Sequence, residues 1–215
     1  MNWLYKLERR FGRFGISNLM LYVVTTMLFV AIFDMVIGFP LSSWFALIPS
    51  LVAQGQIWRL ITFIFLPPSY SPLALVLSLY FYYIMGSTLE RVWGTFRFNL
   101  FYLFGILGCI LAGLISGYGT NKYLNLSLFL AFAYLFPEQQ VLLFYVIPIK
   151  VKYLAYLDWA IFALDLITGS WAAKAAIVAS LINFFIFFGP DILNSIRRRR
   201  GTNVQRNFRN YYRNR

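Results

Sequence analysis

The sequence Gly55-Gln56-Ile57-Trp58-Arg59-Leu60-Ile61-Thr62 places one cationic side chain in the middle of a long apolar segment. Arg59 is the only charged residue between Gly38 and Leu89. A donor that is held away from water without a partner is costly, so this guanidinium needs carbonyl or carboxylate acceptors close by. We therefore interpret Arg59 as a brace that holds the fold together.

The composition of the whole chain predicts a membrane protein. Its 215 residues are 60% hydrophobic and only 12% charged, a balance that one water-soluble core could not enclose. The first apolar run, residues 17–37, exceeds the roughly 7–15 residues of a signal-peptide core, so we expect it to remain as a membrane helix. The single cysteine, Cys109, lies in another apolar run, excludes an intrachain disulfide and is interpreted as a packing residue.

The predicted fold class is all-α, a polytopic bundle of six membrane helices. Four prolines interrupt residues 38–71, so this long first loop is predicted to form short helices along the membrane face. Small residues from Gly105 to Gly117 recur every three or four positions and let a neighbouring helix approach closely. The fourth helix, with about 14 residues, reaches only about 21 Å and should start below the membrane surface, under a wet depression. The predicted helices cover residues 17–37, 72–90, 98–117, 123–136, 148–167 and 171–188, with a turn at 92–97.

The charge distribution predicts that both termini are cytoplasmic. With the amino terminus inside, the 19 basic residues all lie on the cytoplasmic side except Arg59, Lys122 and Lys174. This divides the chain into a basic amphipathic segment (1–16), a membrane domain (17–189) and a basic tail that is predicted to be disordered (190–215).

The tail contains four consecutive arginines, followed by more arginine, aromatic and asparagine residues. Such a mixture can suit single-stranded nucleic acid, whereas juxtamembrane arginine on the cytoplasmic side is typical of contact with anionic lipid. We favour lipid contact, and nucleic acid is not expected as a partner. The arginines concerned are Arg197, Arg198, Arg199 and Arg200.

Two carboxylates lie in the fifth predicted helix. Asp158 is near mid-membrane, where an acid can serve a transporter or can be a protonated or hydrogen-bonded structural group. Asp165 is seven residues further along and therefore on the same helix face, next to a short outer turn where it can pair with Lys174. The sequence contains no glycine-rich phosphate loop and no cluster with metal-ligand spacing, so neither a cofactor nor a metal is predicted.

Four segments resemble the rhomboid superfamily of intramembrane serine proteases and the related derlins. They are the motif around Arg59, the segment Gly86-Ser87-Thr88-Leu89-Glu90-Arg91-Val92-Trp93-Gly94, the segment Leu135-Phe136-Pro137-Glu138, and the segment Ile147-Pro148-Ile149-Lys150-Val151-Lys152. The resemblance implies a six-helix bundle with a lateral first loop and a short central fourth helix. It also implies that Trp58, Arg59 and Glu90 form the structural motif, with Arg59 held by carbonyls of the loop. The predicted topology places Arg59 and Glu90 on opposite sides of the membrane, so a direct ion pair between them is not expected.

The catalytic positions of that family are all changed in this chain. Active rhomboids resemble one another in a GxSG motif at helix 4, a histidine in helix 6, and a histidine and an asparagine in helix 2. This chain has no histidine. The family's nucleophile position aligns near Lys122, the base with Ser180, and the oxyanion positions with Ala74 and Ser78. We expect no catalytic residue and no proteolysis by that mechanism.

The resulting hypothesis is a non-catalytic rhomboid-like protein that binds transmembrane segments of client proteins and influences their stability or degradation. Residues 44–66 of the first loop are the expected client-facing surface, and lipids are the other expected partner. Two alternatives stay open: a residual serine hydrolase with an unusual pair, such as lysine with Ser127 or Ser180, and a small transporter that uses Asp158. The apparent lack of a targeting segment suggests a bacterial cytoplasmic membrane, and the oligomeric state is not indicated.

Overall fold

The computed structural model describes residues 2–143, 147–169, 171, 174, 175 and 177–189. The chain is mostly helical, with a 3-10 turn at Gly12–Phe14 and another at Phe63–Phe65. A π-helical turn, Phe33–Ile37, extends the second helix. The helices are α1 (Asn2–Phe11), α2 (Leu19–Ile32), α3 (Leu41–Phe45), α4 (Pro49–Ala53), α5 (Arg59–Thr62), α6 (Pro72–Trp93), α7 (Thr95–Ser116), α8 (Lys122–Leu135), α9 (Val151–Thr168) and α10 (Ile177–Gly189).

Three helices within the described residues are long and apolar enough to cross a bilayer. They are α2 with its π-helical extension, α6 and α7. Helix α8 has 14 residues, the predicted length, and begins at Lys122 rather than Tyr123. Helix α9 has 18 residues but carries Lys152, Asp158 and Asp165. Six membrane crossings therefore remain a prediction.

A β-hairpin between α8 and α9 shows that the all-α prediction is wrong in this region. Strand β1 (Gln140–Leu143) pairs antiparallel with β2 (Ile147–Lys150), so that Leu142 lies opposite Pro148. Pro148 was predicted to open the fifth helix, which instead starts at Val151. A proline pushes the residue before it towards extended backbone, and its missing N–H is tolerated in a strand that has a free edge.

The turn predicted at residues 92–97 is reduced to one glycine. Helix α6 continues to Trp93, and α7 starts at Thr95. Gly94 lies between them with φ of +84°, a conformation that glycine adopts without a Cβ clash. The extra helical turn places the Trp93 ring 5.5 Å from the Phe101 ring and 5.0 Å from the Phe188 ring, measured between centroids. Trp93 therefore ties α6 to α7 and α10.

Helix α8 lies at the centre of the bundle. Most of its side chains are buried, and it packs against α6, α7 and α9. The glycines of α7 allow this crowding: a Cβ on Gly105 would collide with Leu124, and one on Gly108 would lie 3.2 Å from the Ala179 side chain. The close approach predicted for this helix is thus observed against α8 and α10.

The long first loop folds onto the bundle through its backbone. The Gly119 N–H donates to the Leu47 carbonyl at 2.8 Å, and Leu47 is fully buried. The Asn121 amide donates to the carbonyls of Ile64 (3.1 Å) and Leu66 (2.9 Å). These bonds hold the short helices α3 to α5 against the turn between α7 and α8, and they satisfy carbonyls that would otherwise be unpaired.

Candidate functional site

Arg59 closes the first loop on itself. Its Nη1 donates to the carbonyls of Ser43 and Ala46, each at 2.7 Å, and its Nε donates to the Gln56 side chain at 2.7 Å. The residue is only 5% exposed. Trp58 lies at the surface instead, 43% exposed, and its Nε1 donates to a loop carbonyl at 3.4 Å. The buried guanidinium therefore joins the end of α3 to the start of α5.

Glu90 joins three helices near the other end of α6. Its Oε1 accepts hydrogen bonds from the Asn18 N–H (2.9 Å) and the Thr95 hydroxyl (3.0 Å), and the residue is 9% exposed. Asn18 precedes α2 and Thr95 opens α7. Among the described residues, the salt bridges involve other side chains, so Arg59 and Glu90 are not paired with each other.

Three polar side chains from three helices meet inside the bundle. Tyr82 of α6, Asn125 of α8 and Asp158 of α9 line one cavity of about 210 Å³, and Asn125 lies beside the Tyr82 hydroxyl. Asn125 is 3% exposed and Asp158 is 9% exposed. In the described part of the chain, Asn125 Oδ1 and Asp158 Oδ2 have no hydrogen-bond partner. A buried unpaired acceptor costs about 1–3 kcal/mol, so two in one cavity mark a candidate functional site.

A second cavity of about 550 Å³ lies beside the cavity of Tyr82, Asn125 and Asp158. Phe81 of α6 and Leu154 of α9 line both cavities. Phe132 of α8 and Val141 of the hairpin are further wall residues of the larger one, whose lining also includes some polar side chains. Both cavities reach the surface of the chain, since their lining includes the half-exposed side chains of Tyr80 and Leu157. Together they form a mostly apolar groove between α6 and α9, with α8 as its floor.

Long helices with many large apolar side chains exposed on their surfaces are what a protein embedded in a bilayer presents to lipid, and a family comparison agrees. The model of a family described as "Eukaryotic integral membrane protein (DUF1751)" matches residues 16–188. The chain belongs to this family. No curated protein matches the sequence. The family is eukaryotic, so the prediction of a bacterial membrane is not supported. That prediction relied on the lack of an obvious targeting segment, which does not distinguish bacterial from eukaryotic membranes because a first membrane helix can itself direct insertion.

The serines that the sequence analysis singled out donate to backbone carbonyls or line a cavity. Ser180 is buried and its Oγ donates to the Tyr123 carbonyl at 2.9 Å, which brings α10 next to the start of α8. Ser127 Oγ donates to a carbonyl of its own helix at 2.9 Å. Ser78 lines the larger cavity, and Ala74 is half-buried in the first turn of α6.

Lys122 contacts the carboxylate of an aspartate. Its Nζ lies 3.8 Å from the Asp165 carboxylate, and the lysine side chain is 58% exposed. The prediction that Asp165 pairs with Lys174 is therefore corrected, because among the described residues the Asp165 carboxylate pairs with Lys122. Lys174 instead lies 5.4 Å from the centre of the Trp171 ring.

The sequence indicated Asp158 but missed its neighbours. A lone amide in the apolar helix α8 was an available signal for Asn125, whereas nothing distinguished Tyr82 from the other tyrosines of α6. Within the described residues, no group of three or more potential metal ligands occurs. The tail arginines Arg197, Arg198, Arg199 and Arg200 lie outside the described residues.

The connection between α8 and α9 is held by an exposed charge cluster. Glu138 accepts hydrogen bonds from Lys150 (2.8 Å) and Lys152 (2.6 Å), which join the two ends of the hairpin. These bonds lower the pKa of Glu138 from 4.5 to about 2. The folded hairpin therefore stabilises the ionised form of the Glu138 side chain.

We expect the stabilisation from Glu138 to disappear in acid. The folded-state pKa is below the unfolded one, so the contribution is complete above pH 4.5 and is lost as the pH falls towards about 2. The thermal unfolding midpoints of the parent and of Glu138→Gln, measured in detergent, should differ at neutral pH and converge near pH 2. A difference of constant size across this range would contradict the cluster geometry.

Proposed function

We propose that this family member is a non-catalytic, rhomboid-like protein that binds transmembrane segments of client proteins and influences their stability or degradation. The proposal includes a six-helix bundle with both termini cytoplasmic. The groove between α6 and α9 is the observation that carries it. A neighbouring helix can enter such a groove sideways, because the walls are mostly apolar and the floor helix α8 is too short to close it.

The chemistry of the side chains supports binding over hydrolysis. Acyl transfer by the rhomboid route needs a base that takes the nucleophile's proton, and this chain has no histidine. Ser127 and Ser180 each donate to a backbone carbonyl, and Lys122 contacts an aspartate. A fluorophosphonate probe is therefore expected to label no serine of the purified protein; specific labelling would favour the residual hydrolase.

The first loop supplies a second apolar surface. Trp44, Ile57, Trp58 and Ile61 have between 43% and 68% of their surface exposed, although the loop as a whole is pinned to the bundle. Exposed aromatic and aliphatic side chains of this kind contact either lipid or a partner helix. Loop and groove are thus both candidate contact sites for a client, and crosslinking can separate them.

Site-specific photocrosslinking in eukaryotic membranes tests client binding. A photoreactive residue is placed at Leu77, which lines the larger cavity, or at Ile61 in the loop, and each should capture membrane proteins. A photoreactive residue at Leu111, which is 61% exposed on α7, should capture lipid. Capture of lipid alone at all three positions would refute the proposal.

A cavity-filling variant locates the binding surface. Ser78→Trp places a large side chain in the larger cavity and is expected to lower protein capture from Leu77 at least about 10-fold, equivalent to about 1.4 kcal/mol. Val76→Trp is the matched control, since Val76 is on the same helix, is 54% exposed and lines neither cavity. Equal capture by both variants would place the client elsewhere.

A further inference from the structure

The unpaired oxygens inside the bundle point to a particular kind of client. We infer that the cavity of Tyr82, Asn125 and Asp158 receives a cationic side chain, lysine or arginine, from the middle of a client's transmembrane helix. This inference rests on the proposed function and adds to it a rule for which helices are bound.

The cavity has hydrogen-bonding capacity that the described residues do not use. Asn125 Oδ1 and Asp158 Oδ2 are both acceptors, and both are unpaired within the described residues. The residues to which they belong are each at least nine-tenths buried. A carboxylate accepts only, and lysine and arginine donate only. The missing partner is therefore a donor, and a positive charge matches Asp158 best.

Lys122, whose charge influences Asp158, does not supply this donor. Lys122 is close enough to influence Asp158 electrostatically, but its ammonium contacts Asp165. Asp165 is seven residues beyond Asp158, about 10.5 Å along α9. Lys122 is also more than half exposed, so its ammonium lies at the rim and not in the cavity.

The position and the lining of the cavity also favour a cationic side chain from a membrane helix. Tyr82 is halfway along α6, a helix that can cross the bilayer, and Asp158 is close to the middle of α9. The remaining walls are apolar, among them Phe81, Met85 and Leu157. Such walls suit the methylene stem of a lysine or arginine, while the charged end reaches the acceptors. A lipid headgroup lies at the membrane surface, so among the components of the membrane a transmembrane segment is the source of a cation at this depth.

The test uses the full-length protein in proteoliposomes with single-span leucine-rich peptides that carry either lysine or methionine at the central position. Methionine has a similar length and no charge. Fluorescence energy transfer between labelled protein and peptide measures binding. We expect the lysine peptide to bind at least about 10-fold more tightly, and Asp158→Asn to reduce this preference to about 2-fold. Asp165→Asn is the matched control and should retain the full preference.

The outcomes separate the inference from the proposed function. Equal binding of both peptides to the parent protein overturns the inference but leaves client binding intact, whereas binding of neither peptide refutes both. A full lysine preference in Asp158→Asn also overturns the inference.

A stability measurement distinguishes a binding role from a structural one. Because the free Asp158 carboxylate lacks a full set of partners, Asp158→Leu should unfold at the same temperature as the parent or at a higher one, while losing the lysine preference. A marked fall in the unfolding temperature of Asp158→Leu would instead assign Asp158 to the fold and overturn the inference.

Discussion

Replacing Arg59 with alanine is expected to lower the free energy of unfolding by about 4 kcal/mol. The change leaves the carbonyls of Ser43 and Ala46 without a donor in an apolar loop, and each unsatisfied buried group costs about 1–3 kcal/mol, in addition to the lost contact with Gln56. Arg59→Lys should recover only part of the loss, because an ammonium lacks the planar arrangement of donors. Thermal or denaturant unfolding in detergent measures the effect.

The matched control for this prediction is Arg91→Ala. Arg91 is exposed in the last turn of α6, so its removal should change the stability by no more than about 0.5 kcal/mol. If Arg59→Ala and Arg91→Ala unfold at the same midpoint, the guanidinium does not brace the loop. If the loop of Arg59→Ala becomes cleavable by protease while the bundle stays folded, the brace acts on the loop alone.

Replacing Glu90 with alanine is expected to cost about 3 kcal/mol. The carboxylate accepts from the Asn18 N–H and the Thr95 hydroxyl, and hydrogen bonds to a charged group contribute about 1.5–3 kcal/mol each. Glu90→Gln keeps one acceptor oxygen in a side chain of the same size, so it should lose less than half as much. The same unfolding measurement applies to both variants.

Glu138→Ala is the matched control for Glu90, since its carboxylate is 64% exposed and screened by solvent. A loss of stability in Glu138→Ala as large as that in Glu90→Ala would show that burial is not what distinguishes these two acids. If Glu90→Gln is as stable as the parent while Glu90→Ala is strongly destabilised, Glu90 stabilises the fold through the geometry of its acceptor oxygen and not through its charge.

The main site residues differ in how far local sequence could predict them. Arg59 is an isolated charge in a long apolar segment, and that pattern alone requires acceptors nearby. Glu90 followed from the resemblance, yet its partners Asn18 and Thr95 lie 72 and 5 residues away, one on each side of it. The pairing of Lys122 with Asp165 could not be predicted either, because several arrangements of the outer turns satisfy the same charges.

The β-hairpin shows where local patterns are ambiguous. Residues 140–150 contain apolar residues around a proline, and a short apolar run of this kind is compatible with a strand or with a helix start. The pairing of Gln140 with Lys150 and the contact of Glu138 with both lysines select the hairpin. Those are contacts between residues 10 or more positions apart, which no local propensity encodes.

The sequence by itself determined that this is a helical membrane protein, where its long helices run, and that Arg59 needs internal acceptors. These properties follow from hydrophobic runs, helix breakers and the free-energy cost of burying an unpaired charge, all of which act within a single segment. Only the tertiary structure decided that Tyr82, Asn125 and Asp158 share one cavity and that a groove lies between α6 and α9. Both depend on how three separate helices pack, and packing geometry is set by the whole bundle.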